Sequence, residues 1–239
     1  LNDLNAFAGA VFGGSGALGK RPPTRWKGAD GVFDTALGKA DLQGAFIERL
    51  TMKIGEFQIP PNEIEDILPQ QLLALRVGAG AMIDAGLPLR EPRERMGVVM
   101  GIGFDFEATN FHLRWQLARA VSRWNRDQEL GLDPDELKAW LKNLRDGCGP
   151  PLTAPRVLGA LGGIVASRMA REFRFGGPSF VVSADSASGI RALHVAMDLL
   201  RQGEVDAMLV GAVDLAGDGR NVVRLNHLLP LSTANRIRP

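Results

Sequence analysis

The chain has 239 residues, is 45% apolar and carries a net charge of +1. That is enough apolar material for one large domain or two small ones, and it leaves no electrostatic footprint for nucleic acid or a membrane surface. The single cysteine, Cys148, excludes an internal disulfide framework and a cysteine-rich zinc site, and no transmembrane-length run or signal peptide is present, so a cytoplasmic protein is expected.

In chain order, residues 1–35 read as a short helix (Leu4, Phe7, Val11, Phe12) followed by a Gly/Pro-rich loop. Residues 62–86 predict a helix interrupted at Pro69 and stopped by Gly86 and Pro88. "MGVVMGIG", 96–103, is a short strand of the buried type, and 108–126 is an amphipathic helix carrying Trp115 and Trp124. "DPDELKAWLKNLRDG" is a helix with Asp133 as N-cap, Pro134 at its first position, Glu136 at N3 and Gly147 after its end. Residues 154–173 predict one further helix with a stripe of Val157, Leu161, Ile164 and Val165. "PSFVV" is a strand, and the helix after it carries Ile190, Leu193, Met197 and Leu200 on one face and stops at Gly203. Residues 206–215 are another buried strand. Strands alternating with helices predict an α/β fold with a largely parallel sheet.

Two motifs fail on their own context. Gly14, Gly16 and Gly19 match G-x-G-x-x-G, and Gly14 to Lys20 matches most of a phosphate-binding loop. Both motifs need a strand before the glycines and a helix after them, whereas here a helix precedes and Arg21-Pro22-Pro23 follows. His112, His194 and His227 lie far apart without metal-ligand spacing, so each is read as a packed or solvated histidine and no metal is expected.

The chemistry concentrates in "VVSADSASGIRAL", where a strand turns sharply into a helix. Ser183, Asp185, Ser186 and Ser188 have two readings there: caps for free backbone N–H groups, or a turn that presents a nucleophile. A helix end contributes about 0.3–2 kcal/mol, on the order of one pKa unit, which helps a thiol far more than an alcohol. A serine needs a base within hydrogen-bond reach, and the neighbouring Asp185 carboxylate opposes ionisation. The G-x-S-x-G elbow of serine hydrolases is absent, since Ala184 and Ser188 stand at the glycine positions. The residues alone favour the cap.

Longer blocks carry more. In "IPPNEIEDILPQQLLALRVGAGAMIDAGL" (59–87), Pro61, Glu63, Pro69, Gln70, Gln71, Ala85 and Gly86 resemble a segment of the β-ketoacyl synthase (condensing enzyme) family of the thiolase fold. "RMGVVMGIG" resembles the strand that follows that segment, and 164–215, with Gly177-Pro178-Ser179 before the nucleophile strand, resembles the family's core block. "PPTRWKG" and "REFRFGGPSF" are similar to the ketosynthase-like domains of polyunsaturated fatty acid and polyketide synthases.

The resemblance implies a layered thiolase-like fold, helices packed around a mixed, largely parallel sheet, with residues 1–239 as the N-terminal half of a ketosynthase-like domain that lacks the first strand and the second half. It places Ser186 where the family's acyl-accepting cysteine belongs, and Cys148, in the loop "DGCGPPLTAP", cannot replace it. The implied partners are acyl carrier protein with acyl or malonyl thioesters, and a ketosynthase partner or a second copy paired through "SFVVS"; no cofactor is implied. Three functions stay open: a non-condensing, chain-length-factor-like homologue; an active acyl-transferring or malonyl-decarboxylating synthase using Ser186; and a separate α/β protein binding a nucleotide at Gly14–Lys20. The helix after Ser186 is apolar almost all round, so part of it is expected to face solvent unless further chain or a partner covers it, at roughly 1.5–3 kcal/mol per large side chain.

Overall fold

The computed structural model describes residues 49–105, 110–215 and 218–231, together with 5, 8, 9, 12, 13, 19, 20 and 43–47. Of the expected N-terminal helix, Asn5, Ala8, Gly9 and Phe12 are described and are helical; its other residues and most of the glycine loop lie outside the described residues. The chain divides into two compact units, Met52–Ala216 and the pair Leu1–Thr51 with Gly217–Pro239. In the smaller unit, β1 (Gly19–Lys20) pairs antiparallel with β2 (Gln43–Gly44). Gly19 and Lys20 thus sit in a strand and not in the first turn of a phosphate-binding helix.

The larger unit is built on three parallel strands. β3 (Met96–Ile102) lies between β4 (Ser179–Val182) and β5 (Ala207–Val213), with Val99 paired to Phe180 on one side and Val210 on the other. Val98 and Val99 are fully buried, which is why this strand reads as an unbroken apolar run: a central parallel strand is covered on both faces.

A 3₁₀ turn, Pro61–Asp66, precedes α1 (Pro69–Asp84), with the break at Pro69 as the sequence predicts. Leu72, Leu75 and Met82 give α1 its buried face. Gly86, at φ 69°, closes it, and the Leu87 N–H donates to the Met82 carbonyl. Helices α2 (Asn110–Asp127) and α3 (Pro134–Gly147) form an antiparallel pair. The Asp133 side chain accepts from the Asp135 and Glu136 N–H groups and Glu136 returns to the Asp133 N–H, so the expected capping box is formed.

Residues 154–173 correct the sequence reading: they make two helices, α4 (Ala154–Ala160) and α5 (Ile164–Phe173). Gly162-Gly163 weakens the helix, and tertiary hydrogen bonds take over its carbonyls. Gln71 donates from Nε2 to the oxygens of Gly159 (2.6 Å) and Leu161 (3.2 Å), and the Leu68 N–H also donates to Gly159 (3.1 Å). Val157 and Leu161 are exposed in consequence, and only Val165 of the expected stripe is fully buried.

The C-terminal turn of α5 anchors the unit's first loop. Glu172, 5% exposed, accepts from Arg90 Nε and Nη2 (2.9 and 2.7 Å) and from the Gln58 N–H (2.7 Å). Arg90→Ala leaves that carboxylate buried without its cation. Loss of about 3 kcal/mol is expected, at the lower end for a broken buried pair because Arg90 is half-exposed, and a urea titration will read it.

Helix α6 (Ser188–Arg201) lies on the sheet through Ser188, Ala192 and Ala196. Ile190, Leu193, Met197 and Leu200 point outward, Ile190 at 76% exposure, as expected for a helix covered here on one side only. In the smaller unit, α7 (Gly219–Leu228) is capped by Asp218, which accepts from the Arg220 N–H (2.8 Å) and guanidinium (3.0 and 2.8 Å). Burial pushes this carboxyl up, and the Arg220 bonds and charge more than offset it, leaving it below the ordinary carboxylate value. A lowered native pKa gives stability that is complete above the ordinary carboxylate value and lost as pH falls through the native one. Asp218→Asn is therefore expected to flatten that acid-side loss, measured as unfolding midpoints from pH 6 downward.

Candidate active site

Between the end of β4 at Val182 and the start of α6 at Ser188 the chain reverses in five residues. Asp185 takes the left-handed conformation at φ 48°, which Asp and Asn tolerate better than other residues with a side chain. The Ala187 N–H donates to Ala184 O (3.0 Å) and the Ser188 N–H to Asp185 O (3.2 Å). The brace is Ser188: its Oγ donates to Asp185 O (2.7 Å) and accepts from the Ala184 N–H (2.8 Å), and the residue is buried.

The backbone beneath the turn is stripped of side chains. A Cβ on Gly101 would stand 2.6 Å from the Ser188 carbonyl carbon and 2.8 Å from the Gly189 nitrogen. One on Gly189 would stand 3.0 Å from the Ala212 Cβ. The first turn of α6 is thus wedged onto β3 and β5 at the carboxyl edge of the sheet, a usual place for ligand sites in parallel α/β folds. At the same edge, a Cβ on Gly103 would meet the Asp214 carboxylate at 2.6 Å. Ser188, Gly101 and Gly189 hold the site; the sequence reading weighs Ser188 among the candidate caps and passes over the two glycines. Their signal was small residues at facing positions.

Ser186 is exposed on this turn, and its hydroxyl makes no hydrogen bond with a described residue. No side chain caps α6, so the cap reading of Ser186 is corrected: the residue stands one position before the N-cap, Ala187. No base among the described residues of the larger unit hydrogen-bonds it either. His194 lies exposed along α6 with its Nε2 3.8 Å from Asp198, His112 stands edge-on to Trp115 at 6.1 Å, and His227 is exposed in α7. Cys148 is half-buried after α3. Two cavities of the larger unit, about 350 Å³ beside Arg93 and Arg174 and about 140 Å³ between α1, α5 and β5, are lined by none of residues 183–187. Among the described residues no three His, Cys, Asp or Glu are grouped to hold a metal, and no helix is long and apolar enough to cross a membrane.

Comparison with known proteins fits this fold. Residues 2–239 match the family described as "Beta-ketoacyl synthase, N-terminal domain". A polyunsaturated fatty acid synthase polypeptide of Thraustochytrium is 29% identical over 93% of the chain, and 6-methylsalicylic acid synthase of Penicillium patulum is 27% identical over 85%. The chain spans about 10% of the length of each. Among solved structures, the PfaC keto synthase–chain length factor superposes over 93% of this chain and 24% of its own, with a TM-score of 0.79 at 23% identity. The oxazolomycin ketosynthase domain of Streptomyces albus covers 98% of this chain and 36% of its own, at 0.69 and 21%. The α/β architecture is that of the ketosynthases, as the sequence blocks imply, and the chain belongs to the β-ketoacyl synthase family, of which it carries the N-terminal domain.

Proposed function

We propose that residues 1–239 form the N-terminal half of a ketosynthase-like domain of a cytoplasmic polyunsaturated fatty acid or polyketide synthase, and that Ser186 occupies the position of the condensing cysteine. In this reading the domain does not condense. It pairs with an active ketosynthase or a second copy, in the manner of a chain-length factor, and works beside acyl carrier protein bearing acyl or malonyl thioesters. One observation carries the reading: the Ser186 hydroxyl is exposed on the turn and makes no hydrogen bond to a base among the described residues. Thioester exchange runs through an ionised nucleophile, and one helix end falls far short of ionising an alcohol. The test is intact-mass spectrometry after incubation with acyl- and malonyl-loaded carrier protein. No mass increase at Ser186 is expected; rapid, stable acylation there would sink the reading.

The exposure of Ser186 favours a second reading, in which the hydroxyl carries an acyl group, or the site decarboxylates malonyl units, with a base from outside the described residues. Ser186→Ala separates the two. Turnover that vanishes with the hydroxyl supports acyl transfer, and decarboxylation that survives supports a site acting without it.

A further inference from the structure

Arg171 and Arg174 stand one helical turn apart at the end of α5, and both line the cavity of about 350 Å³ at the amino end of β3 and β4. This is the sheet edge opposite the Ser186 turn. Backbone fixes the frame: the Arg93 N–H donates to Arg174 O (3.0 Å), the Gly176 N–H donates to Arg93 O (2.9 Å), and a Cβ on Gly176 would stand 2.9 Å from the Glu94 Cα. Arg93 is a wall whose guanidinium is already engaged, donating to the carbonyls of Pro88 and Glu91 (2.9 Å each) and to the Glu91 carboxylate (3.1 Å). Arg171 and Arg174 are exposed, and neither makes an ion pair or a side-chain hydrogen bond with a described residue. The carboxyl end of α5 carries about half a negative charge, against two whole positive ones. Arg174 also takes the left-handed conformation, at φ 56°, which favours glycine at a helix end and strains a residue with a side chain. The backbone there would be better served with no side chain at all.

From these observations we infer that Arg171 and Arg174 bind a phosphate group in this cavity. Near neutral pH a phosphate monoester is largely a dianion with three acceptor oxygens, which suits two guanidinium forks, whereas a carboxylate is matched by one. Glu94 is the single carboxylate on the lining, so the two free arginines leave it net positive. The cavity is larger than a phosphate group, and Pro92, Ala170 and Phe175 give it apolar wall, so there is room for an organic group that carries the phosphate. The inference is independent of the reading proposed for Ser186, which sits at the other end of the strands.

The experiment labels the arginines of the full-length protein with phenylglyoxal and maps them by mass spectrometry, with and without millimolar AMP, adenosine or inorganic phosphate. AMP is expected to slow labelling of Arg171 and Arg174 severalfold and to leave the exposed Arg191 of α6 unchanged. Equal protection by inorganic phosphate would assign the site to free phosphate, and protection by AMP alone would assign it to a phosphorylated organic molecule; both support the site. No protection of either arginine, or equal protection of Arg191, would overturn it, and adenosine protecting as well as AMP would overturn the phosphate assignment. Arg174→Gly relieves the left-handed residue and removes its fork. It is expected to unfold at no lower temperature than the wild type while losing most of the AMP protection at Arg171; undiminished protection would overturn the role of Arg174. Arg171→Gln, read at Arg174, tests the pair from the other side, with the same loss expected and the same result against it.

Discussion

Gly101→Ala is expected to destabilise the larger unit by about 3 kcal/mol, the upper part of the usual range for overpacking, and to lower the melting temperature by about 6–12 °C. The new methyl carbon would lie 2.6 Å from the Ser188 carbonyl carbon and 2.7 Å from its oxygen. Those are backbone atoms of a helix whose own first turn is hydrogen-bonded, so relief means lifting α6 from the sheet. Alanine also restricts the unfolded chain, a gain of about 0.4–1 kcal/mol, which is the smaller effect. Gly80→Ala in α1 isolates that smaller effect. A Cβ there meets nothing within 4 Å, and the substitution is expected to stabilise by about 0.5–1 kcal/mol. Thermal unfolding followed by circular dichroism reads both; equal melting temperatures for the two variants would refute the wedge.

Ser186→Cys, made with Cys148→Ala so that one thiol remains, is expected to change the protein from no detectable acyl adduct to near-stoichiometric loading from acyl thioesters. A thiol is a few per cent ionised near neutrality before any help, whereas an alcohol is essentially un-ionised. The amino end of α6 adds about 0.3–2 kcal/mol in favour of the thiolate, with Asp185 opposing. Iodoacetamide separates the steps. A Ser186→Cys protein that alkylates readily and takes no acyl group would show that the turn is competent and that the acyl-binding surface is missing. One that does neither would show that the turn itself does not present a nucleophile, contrary to the proposal.

Much of this was legible in the residues. The parallel sheet followed from apolar runs such as Met96–Ile102, and the capping box from Asp133 and Glu136, because both signals are local. The turn at Ser186 was visible as a strand running into a helix. What failed had its cause far along the chain. The split between α4 and α5 depends on Gln71, which lies 88 positions before Gly159, and no periodicity within 154–173 contains that information. The role of Ser188 was hidden similarly, since several small polar residues close together leave open which hydroxyl points inward. Gly101 settles it by letting the helix sit close enough to bury that one.

The outward stripe of α6 bears on how the protein behaves in a tube. Ile190, Leu193, Met197 and Leu200 form a ribbon of oil facing water along a rigid rod. A sample holding these 239 residues alone is expected to sediment more heavily as it is concentrated and to brighten hydrophobic dyes while still folded. Mild detergent should relieve both without melting the sheet.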